Sequence, residues 1–182
     1  MYEIKTLQAN ELFHRMLQSC WKQGKGDPTL YLEKVLVSFD PGETTGLCYR
    51  LPWEDGFKIH MMQLSTKEIG PACDHIVIIT QEFGQTLQHW VCEDYKVYSW
   101  KADTHKWAGL HTPQLIGAIR LLAYQRKVPL HFQMAQEGKS WATDQKLQSW
   151  GLYDPGMRHA RDASRHLITR TFFGKADDAG EV

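Results

Sequence analysis

Hydrophobic positions along this chain switch between two spacings. In "NELFHRMLQSCW", Leu12, Phe13, Met16 and Leu17 recur at helical spacing, and "GKGDP" then breaks the pattern. "KVLVSFD" is an apolar run of strand length, and "TTGLCYRL" and "FKIHMMQLS" follow it, separated by the turn residues "PWEDG". These three segments predict an antiparallel meander. "DHIVIITQEFGQTLQ" opens with β-branched residues, yet Ile76, Ile79, Phe83 and Leu87 fall on one helical face, which predicts a helix.

The second half alternates. "HWVCEDYKVYSW" predicts a strand, and "TPQLIGAIRLLAYQRK" a helix with Thr112 as cap, Pro113 in the first turn and a stripe of Leu115, Ile119 and Leu122. "VPLHFQM" predicts another strand. "SWATDQKLQSWG" and "GMRHARDASRHLITRTFF" carry helical patterns, and the polar tail "GKADDAGEV" is expected to fray. Strands followed by alternating strand and helix predict an α/β sheet with helices on its faces. Residues 1–33 read as a helical extension, 34–174 as the sheet-bearing domain and 175–182 as the tail.

Composition narrows the classes. With 182 residues the chain suits one domain, and 42% hydrophobic and 23% charged residues are ordinary for a folded protein. No apolar run approaches the ~20 residues of a membrane span, and "MYEIKTLQAN" lacks a signal-peptide core. No membrane association and a cytoplasmic location are therefore expected. Cys20, Cys48, Cys73 and Cys92 are widely separated, which predicts free thiols of a reducing compartment. Net charge is zero but unevenly spread. Residues 1–94 hold eight Lys and Arg against thirteen Asp and Glu, and residues 95–182 hold thirteen against eight. A phosphate backbone would sit on the basic half.

Three acidic stations stand out. Asp40 ends the first strand of the meander, Glu93 and Asp94 lie within "WVCEDYKVY", and His159 and Asp162 share a face of the last helix. Strand alternation puts Trp90, Cys92 and Asp94 on one face and Val91, Glu93 and Tyr95 on the other, without deciding which faces Asp40. Taken singly, a D-P-G tripeptide is a turn and an H-x-x-D pair is a solvated helix face. Jointly they point to metal. A carboxylate in each of two core strands is costly to bury unless paired or metal-bound, and hard divalent cations take such oxygen ligands.

The ordered set strand-"DPGETTG", strand-"CEDY", helix "TPQLIGAIRLL" and closing helix "HARDASRH" resembles the RuvC-type Holliday-junction resolvases, particularly their phage-encoded relatives, within the ribonuclease H-like superfamily. The resemblance spans about residues 35–174; residues 1–33 depart from it. It implies a five-stranded mixed sheet, with Asp40, Glu93 and Asp162 as metal ligands and His159 where the family has Asp or His. It further implies two Mg²⁺ or Mn²⁺ ions about 4 Å apart bridging a scissile phosphate. Asp40 would bridge, Glu93 and Asp162 would each hold one ion, and His159 would ligate or act on the water. The products would be 5′-phosphate and 3′-hydroxyl ends. Pro41 and Gly42 would turn the chain away from Asp40, and Thr44, Thr45 and Gly46 would begin the return strand without bulk near the phosphate.

Candidate DNA contacts follow. Lys96, Lys101 and Lys106 interleave with Tyr98, Trp100 and Trp107, which suits a backbone groove with bases stacked on rings. Core tryptophans explain the same pattern. Arg158, Arg161 and Arg165 form a basic stripe beside His159 and Asp162. Helix 112–127 would pair with its twin, as the corresponding helix does in RuvC dimers, so branched DNA and a homodimer are the expected partners.

Other readings compete. Sugar-kinase and actin-like folds also use a turn like "DPGETTG", but they need two such domains. "EGKS" at 137–140 fails as a phosphate loop because Gln133 stands where its first Gly must be. A nuclease for flaps, hybrids or packaging DNA keeps the same core. An inert nucleic-acid-binding module gains nothing from carboxylates beside phosphates.

Overall fold

A computed structural model describes residues 3–52, 55–84, 88–95, 111–175 and 180. Among these residues six strands form one mixed sheet. They are β1 (Lys5–Gln8), β2 (Val35–Asp40), β3 (Thr44–Arg50), β4 (Lys58–Ser65), β5 (Gln88–Asp94) and β6 (Leu130–Met134), in the spatial order β1-β4-β3-β2-β5-β6. β2, β3 and β4 are the antiparallel meander predicted from the sequence, while β5 and β6 extend the sheet in parallel from β2. Parallel neighbours need crossovers, and α3 (Ile69–Gln81) and α4 (His111–Arg126) lie in those connections. Every residue of β2 is buried, which is why it reads as an unbroken apolar run rather than an alternating one.

Helices cover both faces. α1 (Glu11–Lys22), α2 (Pro28–Glu33), α5 (Ala135–Trp141), α6 (Asp144–Trp150) and α7 (Arg158–Phe173) complete the described helices. Phe13, Leu17, Leu36, Ile59, Trp150, Leu167 and Phe172 form the core under α1, α6 and α7. Val37, Phe39, Ile76, Trp90, Leu115 and Ile119 form the other, under α3 and α4. Ala160 and Ala163 are fully buried and let α7 lie close on the sheet, where the Ser38 hydroxyl donates to the Ala163 carbonyl at 2.8 Å.

The five strands expected from the resemblance are present, and the N-terminal stretch supplies the sixth. β1 pairs antiparallel with β4, and Phe13 and Leu17 of α1 enter the same core as α7. "KTLQ" carries no strand signal of its own; the open edge of β4 recruits it. In "GKGDP" the last two residues start a helix, with Asp27 capping the Thr29 amide and Pro28 in the first turn of α2.

α3 begins at Ile69, earlier than periodicity suggested, and ends at Gln81 before Gly84 turns the chain at φ +70°. Leu87 lies outside the described residues. The helix expected over 140–151 is two, α5 and α6, because Thr143 interrupts it and caps α6 by accepting from the Lys146 amide. Of the strand expected over 89–100, residues 96–100 lie outside the described set. All four cysteines are free, and no described helix is long and apolar enough to cross a membrane.

Candidate active site

The C-terminal ends of β2, β5 and β6 lie side by side, and α7 crosses over them. Open α/β sheets place their sites outside such strand ends. Asp40 ends β2, and Glu93 sits one residue from the end of β5. Both face α7, since Asp40 meets His159 and Glu93 meets His166. The ambiguity within "CEDY" is thereby resolved: Glu93 shares the Asp40 side, while Trp90 and Cys92 pack into the opposite core. Asp94 instead accepts from the Tyr95 amide at 2.9 Å.

A close backbone approach brings His159 to Asp40. Asp40 is paired across the sheet with Gly46, and Gly46 with Gln63. A Cβ on Gly46 would collide with the His159 carbonyl, so only glycine lets the first turn of α7 settle there. The space at Gly46 is therefore filled by α7, not kept open for a phosphate. No side chain at the preceding position caps α7; instead the Gln63 Oε1 accepts from the His159 amide at 2.9 Å. His159 Nδ1 then lies 3.0 Å from Asp40 Oδ2. With Asp40 ionised, Nδ1 donates, and a neutral ring keeps its lone pair on Nε2.

Each acid has a basic neighbour from α7. Asp40 has His159, and Glu93 Oε2 lies 3.0 Å from His166 Nε2. Asp162 accepts from Arg165 Nε at 3.1 Å and faces Lys139 Nζ of α5 at 3.3 Å. His166 and Lys139 were not singled out from the sequence. The spacing 159, 162, 166 on one helix face was the available signal for His166. Lys139 belongs to "EGKS", whose failure as a phosphate loop hid its place beside Asp162.

Burial pushes the Asp40 carboxyl up to about 6, with the charges of Glu93 and Asp162 adding to the rise and the His159 hydrogen bond opposing it. Three carboxylates on three elements thus act on one basin. Among the described residues no three His, Cys, Asp or Glu side chains are close enough to enclose a single ion. A hard divalent cation such as Mg²⁺ binds through one or two carboxylates, with water and substrate phosphate completing its shell. The donors are hard oxygens, and a divalent cation would offset both the burial of the Asp40 charge and its repulsion by Glu93 and Asp162. A cleft of about 580 Å³ adjoins Glu93, bordered by Asp94, Tyr95, Met134, Glu137 and Ser140.

The expected basic stripe does not form as one surface. Arg158 is exposed, but Arg161 lies over the Tyr153 ring and donates to the Asp154 carbonyl at 2.8 Å. Arg165 is only 6% exposed; it pairs with Asp162 within α7 and ties the helix to Asp144 and the Ala142 carbonyl. Helical spacing placed the three near one another without showing that the stripe turns inward. Lys96, Trp100, Lys101 and Lys106 lie outside the described residues.

Solved structures share this architecture. Thermus thermophilus RuvC in complex with Holliday junction substrate matches with a TM-score of 0.59 and 15% identity, over 76% of this chain and 93% of that one. A second Thermus thermophilus RuvC structure matches with a TM-score of 0.58 and 16% identity over the same shares. No protein-family model and no curated protein matches the chain. The fold is of the type seen in these RuvC structures.

Proposed function

We propose that this protein is a metal-dependent endonuclease of branched DNA, acting on Holliday junctions as a homodimer. The observation that carries the reading is the convergence of Asp40, Glu93 and Asp162 from three elements at the strand ends of a RuvC-type sheet. A purely structural role gives no reason to place Asp40 where burial and the charges of Glu93 and Asp162 push its carboxyl up. The solved neighbour bound to a Holliday junction supports the substrate class.

Asp40, Glu93 and Asp162 would hold Mg²⁺ or Mn²⁺, which supplies an activated water and charge stabilisation at the phosphate. His159 is held by Asp40 through Nδ1, so its Nε2 is the atom able to accept a proton from the attacking water. Gln63 keeps that ring in place by anchoring the His159 backbone. Lys139 sits where it can leave Asp162 for a phosphate oxygen. Cleavage would give 5′-phosphate and 3′-hydroxyl ends.

The test is a cleavage assay with Mg²⁺ or Mn²⁺ on labelled four-way junction, flap, linear duplex and RNA/DNA hybrid, with Asp40→Asn as control. Paired symmetric nicks in the junction, absent in the variant, are expected. Preference for a flap or hybrid would replace the substrate but keep the metal site. Binding without cleavage of any substrate would overturn the enzymatic reading in favour of an inert binding module.

A further inference from the structure

We infer that His166, braced by Gln133, is a positioning residue that fixes the orientation in which Glu93 takes up a divalent ion. This rests on the metal-site reading above and extends it to a side chain that cannot touch substrate.

Glu93 and Gln133 are opposite one another in the parallel register of β5 and β6. His166 descends from α7 to both, with Nε2 3.0 Å from Glu93 Oε2 and Nδ1 3.0 Å from Gln133 Oε1. Its exposure is 0%, so it contacts neither solvent nor DNA. A carboxylate only accepts, so Nε2 bears the hydrogen and donates to Glu93. Gln133 Oε1 only accepts, so Nδ1 donates to it as Nε2 donates to Glu93; the same amide turned over would instead donate its N–H to a bare Nδ1, and in both arrangements it fixes the ring plane. Behind the ring stands Gly138 of α5, where an added Cβ would lie 3.1 Å from His166 Cε1 and Nδ1. The imidazole is thus walled in, and its N–H has one direction.

A glutamate side chain has several rotatable bonds, and their freedom must be given up when an ion binds. A fixed N–H on Oε2 removes much of that freedom beforehand and leaves Oε1 for the cation. Hydrogen bonds behind metal ligands commonly contribute 10–100-fold in affinity or activity. A histidine that merely joined α7 to the sheet would support stability and leave ion affinity alone.

The experiment is Mn²⁺ titration by calorimetry on the full chain, alongside thermal melts. It compares wild type, Glu93→Gln, His166→Leu, His166→Gln and Gln133→Leu. His166→Leu fills the buried space without a donor and should bind Mn²⁺ at least tenfold more weakly. His166→Gln restores an N–H toward Glu93 and should recover most of that loss. Gln133→Leu, with His166 intact but unbraced, should bind severalfold more weakly, and it decides the matter should His166→Leu not fold. Wild-type affinity in folded His166→Leu or in Gln133→Leu, with Glu93→Gln weakened, overturns the positioning role alone. No Mn²⁺ binding by wild type, or equal binding by Glu93→Gln, overturns the role of Glu93 as a ligand and this inference with it.

Discussion

The backbone of His159 occupies the space that a side chain on Gly46 would need, and Gly46 is the cross-strand neighbour of Asp40. The contact between His159 and Asp40 therefore depends on a missing side chain on a different strand. Gly46→Ala should force the first turn of α7 off the sheet. Overpacking of this kind costs about 1–3 kcal/mol, read as a lower denaturant midpoint. Cleavage should fall further than the folded fraction does, because the His159–Asp40 distance opens. Unchanged stability would show that α7 does not need that approach.

Asp40→Asn should make the protein more stable while removing its activity. Burial and two neighbouring carboxylates raise the Asp40 pKa from 3.8 to about 6, so its ionised form is disfavoured in the fold. That shift corresponds to at most roughly 3 kcal/mol. The sign is set by a folded value above the unfolded one. The stabilising term is complete below pH 3.8 and is lost as pH rises through about 6. At neutral pH without divalent ions the variant should melt several degrees higher, and the gap should close as the pH approaches 4. Equal melting temperatures at pH 7.5 in chelator would contradict this account.

Asp154 should show the opposite dependence. Its Oδ1 accepts from the Gly156 and Met157 amides, and it pairs with Lys5 of β1. The Lys5 contact and these amides hold its carboxyl below the ordinary value. Its stabilisation is present above pH 3.8 and is lost as pH falls through the lower folded value. Asp154→Ala should cost about 1–3 kcal/mol at pH 7 and loosen both β1 and the turn into α7. Chemical denaturation at pH 7 and at successively lower pH below 3.8 checks both the size and its decline.

Arg158 and Arg165 separate two meanings of a basic residue. Arg165 is buried among Asp162, Asp144 and the Ala142 carbonyl. Arg165→Ala leaves the Ala142 carbonyl without its donor and Asp162 with Lys139 alone, and should cost about 1–3 kcal/mol. Arg158 is exposed at the start of α7, so Arg158→Ala should leave the melting temperature within a degree or so. On the DNA-binding reading it should weaken junction affinity and lower the salt slope by about one. Fluorescence anisotropy at several salt concentrations reads the second effect, and a flat response removes Arg158 from the interface.

Much of the site was legible because local chemistry announces it. An apolar strand that ends on a carboxylate marks Asp40, and helical spacing links His159 to Asp162. The alternation in "CEDY" could not choose Glu93 over Asp94, since two-residue periodicity gives two faces but not which one meets α7. "KTLQ" could not announce β1, because a short polar strand is defined by the edge it joins. Thr143 could have divided the helix expected over 140–151, but capping preference competes with a periodic apolar pattern that runs through it.

By itself the amino-acid sequence determined the meander, the parallel continuation with its helices, and which acids lie at strand ends. Those follow from periodicity, turn residues and the cost of placing charge in an apolar run. Only the tertiary structure decided that α7 rests on Gly46, that His166 and Gln133 brace Glu93, and that Arg165 turns inward while Arg158 stays out. These are contacts between residues far apart in the chain, set by strand register and by how closely a helix can approach a sheet. No pattern of neighbours along the sequence encodes that distance.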